Sequence, residues 1–136
     1  MQISPYLNFP GECERAFKFY VQCLGGKITA MMTFAGTPME AHSPPDWRDK
    51  ILHAQLETAG AVLMGSDAPP DRYEKPQGVS VSLVLEDVTQ AERIFSALAE
   101  GGAVHMAIQE TFWAARFGML VDKFGIPWMI NCNKPV

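Results

Sequence analysis

An α+β domain assembled from two βαβββ modules is the fold class that this 136-residue sequence predicts, and three observations carry it. The first is an internal repeat. Glycine pairs stand at 25–26 and 101–102, 76 residues apart, and the predicted strand and helix that open each half are offset by the same 76. The second is periodicity: each half shows a short strand, an amphipathic helical stripe, a double-glycine stop and further strands. The third is composition, since 48% hydrophobic and 19% charged residues describe a globular chain. At this length one domain spanning 1–136 is expected, burying about two-thirds of its unfolded surface. Neither half-sheet can bury a face alone. The two are therefore expected to pack edge to edge as a cupped, eight-stranded mixed sheet whose concave face could hold a ligand.

In order, Ile3 to Phe9 partly alternates and predicts a strand, with Pro5 near its start. After Pro10 and Gly11, the apolar positions Cys13, Ala16, Phe17, Tyr20 and Leu24 mark one face of a helix, which Gly25 and Gly26 stop. Lys27 to Phe34 predicts the next strand. Residues 35–50, with Gly36, Pro38, Pro44 and Pro45, predict a long loop of the kind that is functional or mobile. Ile51 to Thr58 and Ala61 to Ser66 predict a hairpin about Ala59 and Gly60. The first module thus covers about 1–68, and a polar, proline-rich linker covers about 67–78.

The second module, about 79–136, begins with a strand from Val79 to Leu85. Asp87 with Gln90 has the spacing of a capping box. Val88, Ala91, Ile94, Phe95 and Leu98 give the helical stripe, ended by Gly101 and Gly102, and Val104 to Ile108 gives a strand. Phe117 to Val121 and Ile126 to Cys132 then form a strand pair about a turn in which Gly125 supplies a positive φ.

Charge and cysteine usage exclude several functions. The net charge is −4 with no basic run, so nucleic acid is not an expected partner. No apolar run approaches the ~18 residues that a membrane span needs. Residues 1–5 lack the features of a secretory signal, and a cytoplasmic location is expected. Cys13, Cys23 and Cys132 are odd in number and unsuited by spacing to a disulfide framework or zinc site. They read as free thiols, with Cys132 as a nucleophile the lesser alternative. His53 and Gln55 share a strand face, where His53 is either a hydrogen-bonded structural residue or a ligand contact. His42 and His105 are expected in solvent. Trp113 and Trp128 line either the core or a pocket that stacks on a flat molecule, with Ser66, Ser80, Ser82 and Asn131 as the polar groups beside them. No Gly-x-Ser-x-Gly elbow marks a serine nucleophile.

The stretches Pro5–Phe9, Phe19-Tyr20 with Leu24-Gly25, His53-Ala54, Met64–Asp67, Gln109–Trp113, Phe117-Gly118 and Asp122–Asn131 together resemble the vicinal oxygen chelate superfamily of glyoxalases, bleomycin-resistance proteins and extradiol dioxygenases. The likeness is nearest to its PhnB-like branch and spans essentially the whole chain. It implies a glyoxalase-like, dimeric fold with a cupped sheet. In metal-dependent members four strand positions hold a divalent ion. The resemblance carries those positions onto Pro5, Met64, Ser80 and Met129. Such residues do not suit a hard cation, and two thioethers alone are too few donors to make Cu(I) the expectation. No cofactor is therefore expected. A small-molecule-binding homodimer is the leading expectation, with His53, Gln55, Met64, Ser66, Ser80, Ser82, Gln109, Trp113, Trp128, Met129 and Asn131 as candidate contacts. The alternative is a metal-dependent lyase or dioxygenase-like enzyme with a displaced site that includes His53. The branch is often labelled demethylubiquinone methyltransferase, yet the chain carries no glycine-rich βαβ nucleotide motif for S-adenosylmethionine.

Overall fold

The computed structural model describes residues 1–135 and divides into two compact units, Met1–Glu74 and Lys75–Val136. The first unit runs β1 (Tyr6–Phe9), α1 (Cys13–Leu24), β2 (Lys27–Thr33), two short 3₁₀ turns, β3 (Ile51–Thr58) and β4 (Ala61–Asp67). The second runs β5 (Val81–Leu85), α2 (Val88–Ala99), β6 (Ala103–Gln109), β7 (Ala114–Val121) and β8 (Pro127–Asn133). Backbone pairing groups these strands as two four-stranded mixed sheets, ordered β1-β4-β3-β2 and β5-β8-β7-β6. In each, one parallel pair joins the first and last strands of the unit, and the other pairings are antiparallel. The connection order is therefore the same in both halves, as the sequence repeat implies.

Each helix covers one face of its own sheet. α1 buries Cys13, Ala16, Phe17, Tyr20 and Cys23, and the sheet beneath supplies Phe9, Ala54, Leu56 and Leu63. Cys23, not Leu24, closes the buried stripe. Phe17 meets Phe9 edge-on at 6.3 Å and Tyr20 at 5.9 Å. Gly65 makes room for this packing, since a Cβ there would lie 2.8 Å from both the Leu7 carbonyl and the Phe17 ring. α2 buries Ala91, Ile94, Phe95 and Leu98, facing a sheet core that includes Leu120, Trp128 and Ile130. Gly118 repeats the device, with Phe95 2.6 Å from where its Cβ would stand. Each large apolar side chain so buried contributes about 1.5–3 kcal/mol.

The double glycines have a packing reason as well as a helix-stopping one. A Cβ on Gly26 would collide with the Glu57 carbonyl, and one on Gly102 with the Val121 carbonyl. The second glycine of each pair thus lets the incoming strand pass against its neighbour's backbone. Asp87 caps α2 by accepting from Gln90 N at 2.9 Å, as its spacing predicts.

Some boundaries differ from expectation. β1 begins at Tyr6, not Ile3; Pro5 has no N–H, and only its carbonyl joins the sheet, accepting from Met64 N at 3.1 Å. β7 begins three residues early, where Thr111 Oγ1 accepts from Ala114 N at 3.1 Å. Residues 35–50, expected as a long loop, contain 3₁₀ turns at Pro38–His42 and Pro45–Trp47. The segment is fastened at its ends by Phe34 N to Lys50 O and Ala35 N to Arg48 O, both 3.1 Å, and in its middle by Trp47, which is 6% exposed.

Candidate functional site

Each sheet has a face that its helix does not cover, and the polar candidates fall there. In the first unit, β-register places Tyr6 and Gln55 on either side of Met64, and Met32 beside His53. Asn8 lies opposite Ser66, whose hydroxyl donates to Asn8 Oδ1 at 3.3 Å. The Tyr6 ring stacks on His53 at 5.8 Å, and its hydroxyl hydrogen-bonds His53 Nδ1 at 3.1 Å. With Nδ1 occupied by the phenol, Nε2 is the imidazole nitrogen left to meet a ligand. His53, Gln55, Met64 and Ser66 are thus neighbours on one surface. Tyr6 was not among the sequence candidates. Its alternation with buried Phe9 is the signal that could have found it.

That alternation also corrects the first of the transferred metal positions. Pro5 shares strand parity with Leu7 and Phe9, and the β1 residue that actually opposes Met64 is Tyr6. A shift of one residue exchanges the two faces of a strand.

In the second unit, Ser82 opposes Met129 and Val84 opposes Asn131 across β5 and β8. Met119 opposes Met129 across β7 and β8. A cavity of about 430 Å³ opens over this row, lined by Val79, Ser80, His105, Met119, Pro127 and Met129 among others. Farther along, Trp113 Nε1 donates to Asn131 Oδ1 at 3.2 Å, Asn131 Nδ2 to Asn133 Oδ1 at 3.1 Å, and Asn133 Nδ2 to Glu86 Oε1 at 3.0 Å. Trp113 is half-exposed and packs edge-on against Phe112 and Phe117, and Gln109 sits opposite Phe117 at the end of β6. Ser80, Ser82, Met129 and Asn131 therefore share the open side with Trp113. His105, expected in solvent, is exposed but borders the cavity.

Trp128 borders the cavity at its place in β8, but its side chain is buried. It is 1% exposed, alternates with Met129, and its indole N–H is given to Asp122 Oδ2 at 2.8 Å. Its side chain is part of the core under α2, so the stacking role expected of it is withdrawn.

Two buried aspartates were also missed. Asp67 accepts from Gly11 N at 3.0 Å, Cys13 N at 2.9 Å and Ile51 N at 2.8 Å. Burial pushes its carboxyl above the ordinary 3.8, against the lowering pull of those three N–H groups and Lys50. Asp122 accepts from Phe124 N, Ile126 N and the Trp128 indole at 2.8–3.0 Å. Both carboxylates are occupied by backbone N–H donors, joined at Asp122 by the indole. Nor is Cys132 a nucleophile: it is fully buried, and burial, with Glu86 and Asp87 behind it, pushes its thiol up. Burial likewise raises Cys13.

The open faces do not fit the divalent ion of the wider superfamily. The transferred Ser80 precedes β5, and the residue that opposes Met129 is Ser82. With either serine, Tyr6, Met64 and Met129 complete a set of a phenol, two thioethers and a hydroxyl where that chemistry needs carboxylates and imidazoles. Among the described residues no group of three His, Cys, Asp or Glu side chains converges to hold a metal. The displaced site imagined around His53 accordingly finds no donor set, and the recorded partner of His53 is Tyr6.

Comparison with known proteins agrees with this fold. The family described as 3-demethylubiquinone-9 3-methyltransferase matches residues 1–131. Protein YjdN of Escherichia coli (strain K12) is 38% identical, with 98% of this chain and 97% of that protein covered. The crystal structure of protein PA1353 from Pseudomonas aeruginosa is 48% identical with a TM-score of 0.90, covering 99% of each chain. A glyoxylase/bleomycin resistance protein/dioxygenase domain from Frankia sp. EAN1pec shares the fold at a TM-score of 0.63 and 13% identity, covering 98% of this chain and 95% of that one. No helix among the described residues is long and apolar enough to cross a membrane. By the extent of these matches, the chain belongs to the 3-demethylubiquinone-9 3-methyltransferase family, on a glyoxalase-like fold.

Proposed function

We propose that this protein binds a small, largely apolar organic molecule on the open faces of its sheets and does so without the divalent metal of its fold relatives. The observation that carries this reading is the cavity of about 430 Å³ in the second unit. Its volume falls in the range of ligand pockets, roughly 300–1,000 Å³, and its wall is apolar with a few polar groups, as such pockets are. Of the candidate contacts, Ser80 and Met129 line that cavity; Ser82, Asn131, Trp113 and Gln109 would extend the surface along the same sheet, and His53, Gln55, Met64 and Ser66 offer the corresponding surface on the first unit. Exposed Phe112, Val84 and Met32 leave apolar area to cover, and a cytoplasmic homodimer is the state we assign.

The test is a fragment screen of flat aromatic compounds followed on labelled methionine methyl groups by NMR. Hits are expected to move Met129 and Met119, and Met129→Arg is expected to abolish binding by filling the cavity. Binding indifferent to Met129→Arg would sink the reading. So would one stoichiometric Mn, Fe, Ni or Zn ion per chain in elemental analysis of protein purified without chelator. Sedimentation that gives only a 15.0 kDa particle at micromolar concentration would remove the dimer.

A further inference from the structure

The second sheet carries a line of thioethers whose sulfurs have no role in the reading above. Met106 on β6 opposes Met119 on β7, and Met119 opposes Met129 on β8, so three methionines lie in register across three adjacent strands. Directly opposed residues of antiparallel strands have Cβ atoms about 4.5–5.5 Å apart, close enough for two flexible thioethers to meet one ion. The face is the open one: Met119 alternates with buried Leu120 and with Gly118, which packs against Phe95 of α2.

A nitrogen donor joins them beside a backbone irregularity. Val104 pairs with Leu120 and Met106 with Met119, so β6 spends one extra residue where β7 spends none. The extra residue is His105. Val104 opposes buried Leu120, so alternation sends His105 to the open side, and the bulge then sets Met106 opposite Met119, two residues standing against one. His105 accordingly borders the same cavity as Met119 and Met129.

We propose that His105, Met119 and Met129 form a binding site for a soft monovalent cation, Cu(I) in a reducing cytoplasm and Ag(I) as its redox-inert analogue. The wall of the cavity holds no Asp, Glu, Lys or Arg. Every donor is thus neutral, which disfavours hard divalent ions and leaves a d¹⁰ monovalent ion as the matching charge and softness. Two sulfurs and one imidazole nitrogen satisfy a three-coordinate ion, with Met106 adjacent as a further sulfur. Binding needs no electron transfer and no deprotonation of a thiol. The site shares the cavity of the small-molecule reading but does not depend on it, since an ion at the wall binds whether or not an organic molecule fills the space.

Silver(I) titration of ¹³C-methyl-methionine protein tests the site, paired with competition against a chromogenic Cu(I) chelator under anaerobic, reducing conditions. One equivalent of Ag(I) is expected to shift the Met119 and Met129 methyl signals and leave Met64 unmoved. The double variant Met119→Leu/Met129→Leu, which conserves volume, is expected to weaken Cu(I) binding at least 100-fold, and His105→Ala at least tenfold. Met64→Leu is expected to bind as the unaltered protein does. Absence of the two methyl shifts overturns the proposal, and this reads the unaltered chain, so it holds even where a variant fails to fold. Binding that survives the double variant but vanishes in Cys132→Ala overturns it too, by assigning the ion to a thiol. A fragment screen without hits would leave these readings untouched, so the two proposals fail separately.

Discussion

Replacing Asp67 probes the joint that organises the first unit. Its two oxygens receive Gly11 N, Cys13 N and Ile51 N, which tie the entrance of α1 and the start of β3 to the end of β4. Asp67→Ala leaves these donors without a partner. The Cys13 and Ile51 groups are buried, and each orphaned buried donor costs about 1–3 kcal/mol, whereas water can reach the part-buried Gly11 amide. The sum, about 4 kcal/mol, is a large share of the ~5–15 kcal/mol that stabilises a domain. Asp67→Asn keeps one carbonyl oxygen for Gly11 and Cys13 and turns an amide N–H against Ile51 N–H, costing about 1–3 kcal/mol. Urea unfolding reads both. At a slope near 2 kcal/mol per molar, the alanine variant should lose about 2 M in midpoint with the slope unchanged. An alanine variant within 1 kcal/mol of the unaltered protein would refute the reasoning.

The direction of the Asp67 shift adds a pH arm. Burial raises its folded-state pKa above 3.8, so the folded chain holds this proton more tightly than the unfolded one. The stability gained is complete below 3.8 and is lost as pH rises through the raised folded value. Asparagine cannot titrate. The cost of Asp67→Asn should therefore be larger at pH 4 than at pH 7, and a cost that grows with pH would mean that the three N–H donors outweigh burial.

Other outcomes follow from neighbouring features. Asp122→Asn should destabilise the second unit by about 1–3 kcal/mol and speed hydrogen exchange of the Trp128 indole, followed by NMR. Gly102→Ala, at a position without a positive φ, isolates the close approach of the Val121 carbonyl; it should lower stability by about 1–3 kcal/mol in thermal unfolding. Cys13, Cys23 and Cys132 should resist alkylation by iodoacetamide at pH 8 in native buffer and react fully in urea, as buried thiols do.

Much of the fold was legible because it rests on local period. Both helical stripes, the double-glycine stops and β3 at Ile51–Thr58 read directly from residue spacing. What escaped rests on contacts distant in sequence or on a single-residue shift. Asp67 looks like an ordinary polar residue at a strand end, because two of its partners are backbone amides 54 and 56 residues away. Trp113 and Trp128 are chemically alike, and only strand parity separates them: Ile126, Trp128, Ile130 and Cys132 form one buried row, and Met129 and Asn131 the other. That row could have been read. The placement of Met106 opposite Met119 could not, since nothing in its neighbours announces a bulge. The Pro5 position, by contrast, was a one-residue slip that alternation with Phe9 could have caught, since Tyr6 stands on that face.

The two buried aspartates impose different clocks on their units. Asp122 closes contacts over 2, 4 and 6 residues, so its turn can assemble while the rest of the chain is still unfolded. Asp67 must wait for loops of 54 and 56 residues to close before its carboxylate meets Cys13 and Gly11. Contacts made early govern the folding rate, and contacts made late govern unfolding. Asp122→Asn should then slow refolding in a stopped-flow chevron, whereas Asp67→Asn should chiefly hasten unfolding. Two halves with one topology would thus differ in the order by which they are built.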